Sequence, residues 1–364
     1  MYKEGKAIIR YASESFLNPE ALVSRDISVA FAGVLATEKS AMLDATSATG
    51  IRGIRYYLET PSRKLTFLEI NRGAYASLKK NVRANKVKAN VLNCSIQEFA
   101  NSSKEKFDII DLDPFGGITP YIYDLMKISK GGTCLFVTAT DGAVLCGADY
   151  KACLRLYDAR PMHNELCQEV GLRLLIGYVA RIAAQFNFGI EILGSFSHLH
   201  YMRAFIRLRH GSIEANKSVR QLGYVHYCNK CLDVGIEKTA FPSSNRCASC
   251  RAVLELAGKI WLGNLKDNDM MKLVIDRMND MECGEKSIKF AESLASELDV
   301  PLYYSIPRFT KRMGIGSVST NRLAEMLERK GFSTSRTHMS GLSIKSDASS
   351  KELKSMIKKL SKHL

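Results

Sequence analysis

Nowhere in the 364 residues is there a run of about 18 uninterrupted apolar side chains, which argues against a membrane-spanning helix. The first residues, "MYKEGKAIIRYASESF", lack the apolar core and small-residue cleavage site of a secretory signal. A cytoplasmic protein is therefore expected. Internal repeats and long low-complexity segments are missing too. Acidic side chains are in short supply. The 37 Asp and Glu against 52 Lys and Arg leave a net charge of +15. Such an excess attracts polyanions, and nucleic acid is the usual one. From residue 330 to 364, eight Lys and Arg face only Asp347 and Glu352.

What is present is ordinary globular material, 46% apolar and 24% charged, in a chain long enough for two cores. From about residue 40 to 210, short apolar runs alternate with helical stretches. Strands are expected at 41–44, 65–69, 90–92, 107–112, 133–138, 190–196 and 202–208. Helices are expected at 74–85 and 165–186, where Leu166, Val170, Leu174, Tyr178 and Ile182 recur at helical spacing. Alternation of this kind implies a doubly wound sheet with helices on both faces. The short connection between the last two strands implies an antiparallel pair at one edge. After Gly211 the texture changes to a cysteine-rich stretch at 224–251, then helical segments around 267–281, 285–298 and 319–331. The domain boundary is placed at 212/213.

Six of the ten cysteines (Cys94, Cys134, Cys146, Cys153, Cys167, Cys283) are scattered in largely apolar contexts, where reduced cysteine behaves as a small hydrophobe. The other four, Cys228, Cys231, Cys247 and Cys250, have the spacing C-x2-C-x15-C-x2-C. That spacing fits a tetrahedral four-thiolate zinc site, which keeps no open position and is structural. His210 and His226 lie nearby and are not needed as ligands.

Ligands of open α/β sheets bind at the carboxyl ends of the strands. The first strand ends in "LDATSATGIRG", where Gly50 and Gly53 allow backbone to approach a ligand. The second ends in Glu69, placed to accept hydrogen bonds from ribose hydroxyls. The G-x-G-x-x-G phosphate fingerprint is missing. An adenosine cofactor without phosphate, S-adenosylmethionine, therefore suits the pattern better than NAD. The fourth strand ends in "DLDPFGG". An exocyclic amine on a base is a poor nucleophile because its lone pair is delocalised into the ring. A carboxylate (Asp113) and the Pro114 carbonyl can accept its N–H bonds and localise that pair, Asp113 can take the lost proton, and Phe115 can stack on the base. Asp111, two residues earlier on the same strand face, lies one step deeper. The turn alone leaves other targets open, namely another amine-bearing base in RNA or in DNA. A zinc-containing RNA-binding protein that retains the fold without the activity is a further alternative.

Over nearly its whole length the chain resembles the tRNA guanine-26 N2-dimethyltransferases in their compact archaeal form. The resemblance runs through "EGKAIIRY", "FLNPEALVSRDISVAF", "LDATSATGIRGIRY", "DLDPFGG", "VTATDGAVLCGADYKACLRLYDARP", the paired C-x2-C units, "IWLG" and "SRTHMSGLSIKSDA". It implies a class I, Rossmann-like S-adenosylmethionine-dependent methyltransferase domain (1–212). A smaller α+β domain with the zinc site (213–364) would then position tRNA. It implies methyl transfer to N2 of guanosine 26, giving the N2-methyl and then the N2,N2-dimethyl nucleoside. Phe16, Arg25, Arg52 and Glu69, with Asp44 and Gly50, fall to the cofactor site. Asp113, Pro114 and Phe115 form the catalytic pocket, with Asp141 as a second pocket residue or a helix cap. No protein partner is called for. Three departures stand out. Gly117-Ile118 replaces the usual Ser-Pro, Cys94-Ser95 stands where an acid often contacts adenine, and "THM" (337–339) replaces "THF".

Overall fold

The computed structural model describes residues 1–10, 16–238 and 244–363. Tyr11, which ends the "EGKAIIRY" segment, and residues 239–243 of the cysteine-rich stretch lie outside that set. Seven strands form the principal sheet: β1 (Ala41–Asp44), β2 (Lys64–Leu68), β3 (Asn90–Leu92), β4 (Ile109–Leu112), β5 (Cys134–Ala139), β6 (Phe188–His198) and β7 (Tyr201–His210). Their spatial order is β3-β2-β1-β4-β5-β7-β6. The first five run parallel. β7 is antiparallel to β5, and β6 closes the edge antiparallel to β7. β4 and β5 are buried at every position, as strands covered on both faces must be. Pairing of β4 begins at Ile109 rather than 107, because the Asp108 carboxylate turns to accept the Ala41 amide at 2.8 Å.

Strand order reverses between β1 and β4, and the loops leaving these two strands part to open a crevice at their carboxyl ends. α1 (Leu22–Leu35) and α2 (Ile51–Glu59) border it, and α3 (Arg72–Ala84) packs behind the β1 loop, with Leu78 against Gly50. The N-terminus of α3 is capped by the Asn71 side chain, which accepts the Ala74 amide. A hairpin at the amino terminus (Tyr2–Glu4 with Ala7–Ile9) left no clear periodic signal. It is tied down by buried charge, with Glu4 accepting from both Arg25 of α1 and Arg55 of α2.

α4 (Cys167–Gln185) is apolar on more faces than the sequence stripe implied, since Leu172, Leu175, Ile176 and Val179 are buried as well. One side lies on β6 and β7, and the other receives the strand Glu255–Trp261. A Cβ at Gly177 would lie 3.1 Å from the Trp261 amide. Helices covered all round are built from such sequences. Glu255–Trp261 belongs to a three-stranded antiparallel sheet with Leu222–Tyr227 and Val234–Glu237. The helices Asn268–Asn279 and Glu285–Ser296 return to pack on α1, where Ser287 donates to Asp26 at 2.6 Å. Among the described residues two apolar clusters form, one with members from Leu43 to Ile357 and one with members from Ala7 to Leu294. Among the described residues no helix is long and apolar enough to cross a membrane.

Candidate active site

At the switch point the loops enclose a cavity of about 490 Å³. Phe16, Arg25, Asp44, Arg52, Glu69, Asp113, Pro114 and Phe115 all line it. Gly50 does not. It starts α2 at φ +80°, and a Cβ there would lie 2.3 Å from Leu78 Cδ1. Its task is to let the β1 loop seat against α3.

One end of the cavity suits a ribose and a cation. The Glu69 carboxylate accepts the Ala48 amide at 2.7 Å and the Asn71 amide at 2.8 Å. Ala48 adopts the left-handed region, φ +46°, to present that amide. A carboxylate so fixed retains lone pairs for hydroxyl donors and repels phosphate. Asp44 is buried, and its pKa is pushed up to about 7 by desolvation and by Asp111, against the Gly53 amide that donates to it. A cationic ligand would favour its ionised form. Such a donor set fits the ribose and sulfonium of S-adenosylmethionine. Ser95 lines the same end, but it and Glu98 cap the helix Ile96–Ser102 reciprocally. The Arg25 guanidinium donates to Glu4 (Nε–Oε1 2.7 Å) and to the Asn18 carbonyl (2.9 Å).

The other end is organised around Asp113. Its amide donates to Thr46 Oγ1 at 2.9 Å. Arg52, the second residue of α2, donates to its carboxylate through Nε (2.9 Å) and Nη2 (2.6 Å), and both bonds fall on Oδ2. Ser24 and Ser28 hold the rest of that guanidinium. Arg52 is thus placed as the partner of the carboxylate. The Asp113 side chain is 29% exposed and Arg52 7%, so the carboxylate is the more open of the two and the guanidinium is largely covered. Burial alone would raise the Asp113 pKa, but Arg52 and Arg203 outweigh it and hold the carboxyl below its usual range. Asp111 is buried out of reach, with Oδ2 taking Arg203 Nη2 at 2.8 Å and the Tyr56 hydroxyl.

Phe115 is 75% exposed and Phe16 55%. The two rings meet edge to face at 4.7 Å, so the residue read as closing the cofactor site also touches the base plate. The turn is fastened to the end of β5, with the Gly116 amide donating to Thr140 Oγ1 at 2.8 Å and the Thr140 amide to the Gly116 carbonyl at 2.9 Å. Beside it the Tyr157 hydroxyl donates to Asp141 (2.9 and 3.1 Å). Asp141 neither lines the cavity nor caps the following helix. That pair accounts for Gly117. A Cβ there would sit 2.6 Å from Asp141 Oδ2 and 3.0 Å from the Tyr157 hydroxyl. Gly117→Ser is therefore expected to destabilise the fold by about 1–3 kcal/mol, read as a lower urea midpoint. Gly117→Ala should do the same, because the penalty lies in the Cβ.

Thr46, Thr138, Arg203, His200 of the turn between β6 and β7, and Tyr201 at the start of β7 were not expected at the site; all but Arg203 line the cavity. Thr46 and Thr138 fall inside the segments "LDATSATGIRG" and "VTATDGAV", where no spacing singles them out, and Arg203, His200 and Tyr201 fall in none.

In the C-terminal region the four sulfurs of Cys228, Cys231, Cys247 and Cys250 lie within 4.8 Å of one another. Leu232 and Arg251, each following the second cysteine of a pair, take left-handed φ of +61° and +59°, so the two halves fold back alike. The set is compatible with a closed, structural four-thiolate zinc site. Its first loop is keyed to later helices: Arg312 donates to the Lys230 carbonyl (3.1 Å) and Ser350 to Asp233 (2.8 Å).

Residues 1–358 match the family model described as N2,N2-dimethylguanosine tRNA methyltransferase. A tRNA (guanine(26)-N(2))-dimethyltransferase of Pyrococcus abyssi is 35% identical over 95% of this chain and 95% of its own. That of Pyrococcus furiosus is 37% identical over 94% and 92%. The solved structure of Trm1 from Pyrococcus horikoshii with S-adenosyl-L-methionine superimposes with a TM-score of 0.91 at 32% identity, covering 98% of both chains.

Proposed function

We propose, from the premise that this chain belongs to the N2,N2-dimethylguanosine tRNA methyltransferase family, a division of labour within the cavity at the switch point. The chain is an S-adenosylmethionine-dependent tRNA (guanine(26)-N2)-dimethyltransferase. When bound, S-adenosylmethionine supplies an electrophilic methyl group on sulfur. Glu69 would hold its ribose, Asp44 would face its charged end, and Phe16 would close over it.

The observation that carries the reading is the Asp113–Arg52 pair. Arg52 loads Oδ2 and keeps the carboxylate ionised, which leaves Oδ1 to accept an N–H of the guanine amine. The Pro114 carbonyl accepts the other. With both N–H bonds directed at acceptors, the nitrogen lone pair is localised and aimed, and holding it in line provides much of the acceleration. Methylation makes the nitrogen cationic and both of its N–H bonds strongly acidic, so Asp113 Oδ1 takes one proton despite its low pKa, and the neutral methylamine that results keeps one N–H for a second transfer. Phe115 stacks on the base, which must leave its own stack to arrive at a cost of a few kcal/mol. Residues 213–364, stiffened by zinc, position tRNA through phosphate contacts from Lys and Arg, which fix register and carry no sequence information. The reading places the enzyme in the cytoplasm with tRNA and requires no protein partner.

Unmodified tRNA transcripts carrying guanosine or adenosine at position 26, incubated with labelled S-adenosylmethionine, test it. Label is expected in the guanosine transcript alone. Label in the adenosine transcript, or tRNA binding without transfer, would overturn the assignment.

A further inference from the structure

A second cavity, about 300 Å³, adjoins the first. Thr140, His200 and Tyr201 line both, so one wall of three residues serves two chambers. That wall is rigidly referenced to the catalytic turn, because Thr140 exchanges two hydrogen bonds with Gly116. The far side is held by Gln168 of α4 and Ser197 of β6. The Ser197 hydroxyl donates to Gln168 Oε1 at 2.6 Å, and among the described residues the Gln168 amide nitrogen has no hydrogen-bond partner. The Ser197 amide in turn donates to His338 Nε2 at 3.2 Å, and His338 Nδ1 lies 2.5 Å from Glu297. The C-terminal region thus pins this side of the chamber.

The lining contains no Asp, Glu, Lys or Arg. A phosphate would find no counter-charge there, and a cation would find no acid. The chamber offers neutral donors and acceptors between apolar walls, which is the chemistry of a nucleobase with its hydrogen-bonding edge. A base drawn out of a stack leaves a neighbour with one face exposed. That neighbour is attached to the target by one phosphodiester, and the second chamber is separated from the first by one wall. We propose that the second cavity receives the base of the nucleotide next to the target guanosine, with Gln168 hydrogen-bonding its edge. The inference rests on the reading of the first cavity as the guanosine 26 site.

Ala143 lines this cavity and is exposed, so Ala143→Trp fills the chamber without burdening the core. Single-turnover rates are measured for the wild type, Ala143→Trp and Gln168→Leu on intact tRNA and on transcripts abasic at position 25 or at position 27. One abasic position is expected to slow the wild type about tenfold, the scale of one lost base contact. Each variant is expected to slow intact tRNA to a similar degree, with S-adenosylmethionine affinity unchanged. Combining variant and abasic transcript should then lose nothing further, as for two halves of one interaction. Wild-type rates untouched by either abasic position, or losses that multiply, would overturn the proposal. A wild type that fails to methylate guanosine 26 of intact tRNA would instead overturn the reading of the first cavity.

Discussion

Asp113→Asn lowers the single-turnover rate of methyl transfer to tRNA by about 10²–10³-fold, the scale of removing one preorganised electrostatic partner from a reacting centre. The two carboxylate oxygens have different partners. Oδ2 receives two bonds from Arg52, and the proposed mechanism assigns Oδ1 to the guanine amine. An asparagine must turn its NH2 toward one of these donors, and either orientation sets donor against donor. It also removes the counter-charge of a guanidinium only 7% exposed, so a urea midpoint must accompany the rate to separate chemistry from folding. S-adenosylmethionine affinity should change less than about twofold, a split between chemistry and binding that a collapsed cavity would not produce. The pH dependence follows from the same pair. Arg52 and Arg203 overcome the effect of burial and keep the Asp113 pKa below the ordinary carboxylate range. The group stays ionised as pH falls from 8 to 6 and becomes protonated only in acid. Its contribution to the wild-type rate is therefore flat over that interval.

Removing the metal is the second large effect. Cys231→Ser combined with Cys247→Ser takes one thiolate from each pair and leaves two ligands where zinc needs four. Metal analysis should show about one zinc per chain falling to near none. Without zinc, little holds the two loops, since structural sites of this kind contribute folding free energy directly. The consequence spreads along specific contacts. Lys230 receives Arg312, Asn229 receives Arg308, and Asp233 receives Ser350. The helices Ile306–Met313 and Ser350–Leu360, which carry Lys311, Lys354, Lys358 and Lys359, lose those anchors. KM for tRNA is expected to rise at least about tenfold, with a shallower salt dependence as phosphate contacts are lost. S-adenosylmethionine binding should persist, because every residue lining its cavity lies between Phe16 and Tyr201.

Much of the sheet was legible because parallel strands buried on both faces leave continuous apolar runs. β1 falls on its expected residues and the others within a few; β3 does too, although it is an edge strand exposed at Asn90 and Leu92. The zinc site was legible for a different reason, since its chemistry is written in spacing. Asp44, Glu69 and Asp113, at or just after the ends of three strands, line one cavity, whereas Gly50 does not. What stayed hidden was pairing across sequence. Arg52 and Asp113 are 61 residues apart, and Arg203 reaches Asp111 from 92 residues away. No periodicity links such pairs; only the order β1-β4-β5-β7 does. The same holds for Arg25, which a motif assigned to the cofactor site and which meets Glu4 of a hairpin too short to announce itself. Gly117 looked like a loosened turn in sequence. In the folded chain it is the space that Asp141 and Tyr157 fill.

The claim at the centre of this account is that the enzyme works through acceptors aimed at an exocyclic 2-amino group. Substituting the target nucleotide tests it most directly. A tRNA with 2-aminopurine at position 26 keeps that amine and loses the ring carbonyl, whereas inosine keeps the carbonyl and loses the amine. The account predicts methyl incorporation into the 2-aminopurine tRNA by the wild type, a loss of that incorporation in Asp113→Asn, and none into the inosine tRNA. Methyl transfer to the inosine tRNA at position 26 would contradict it.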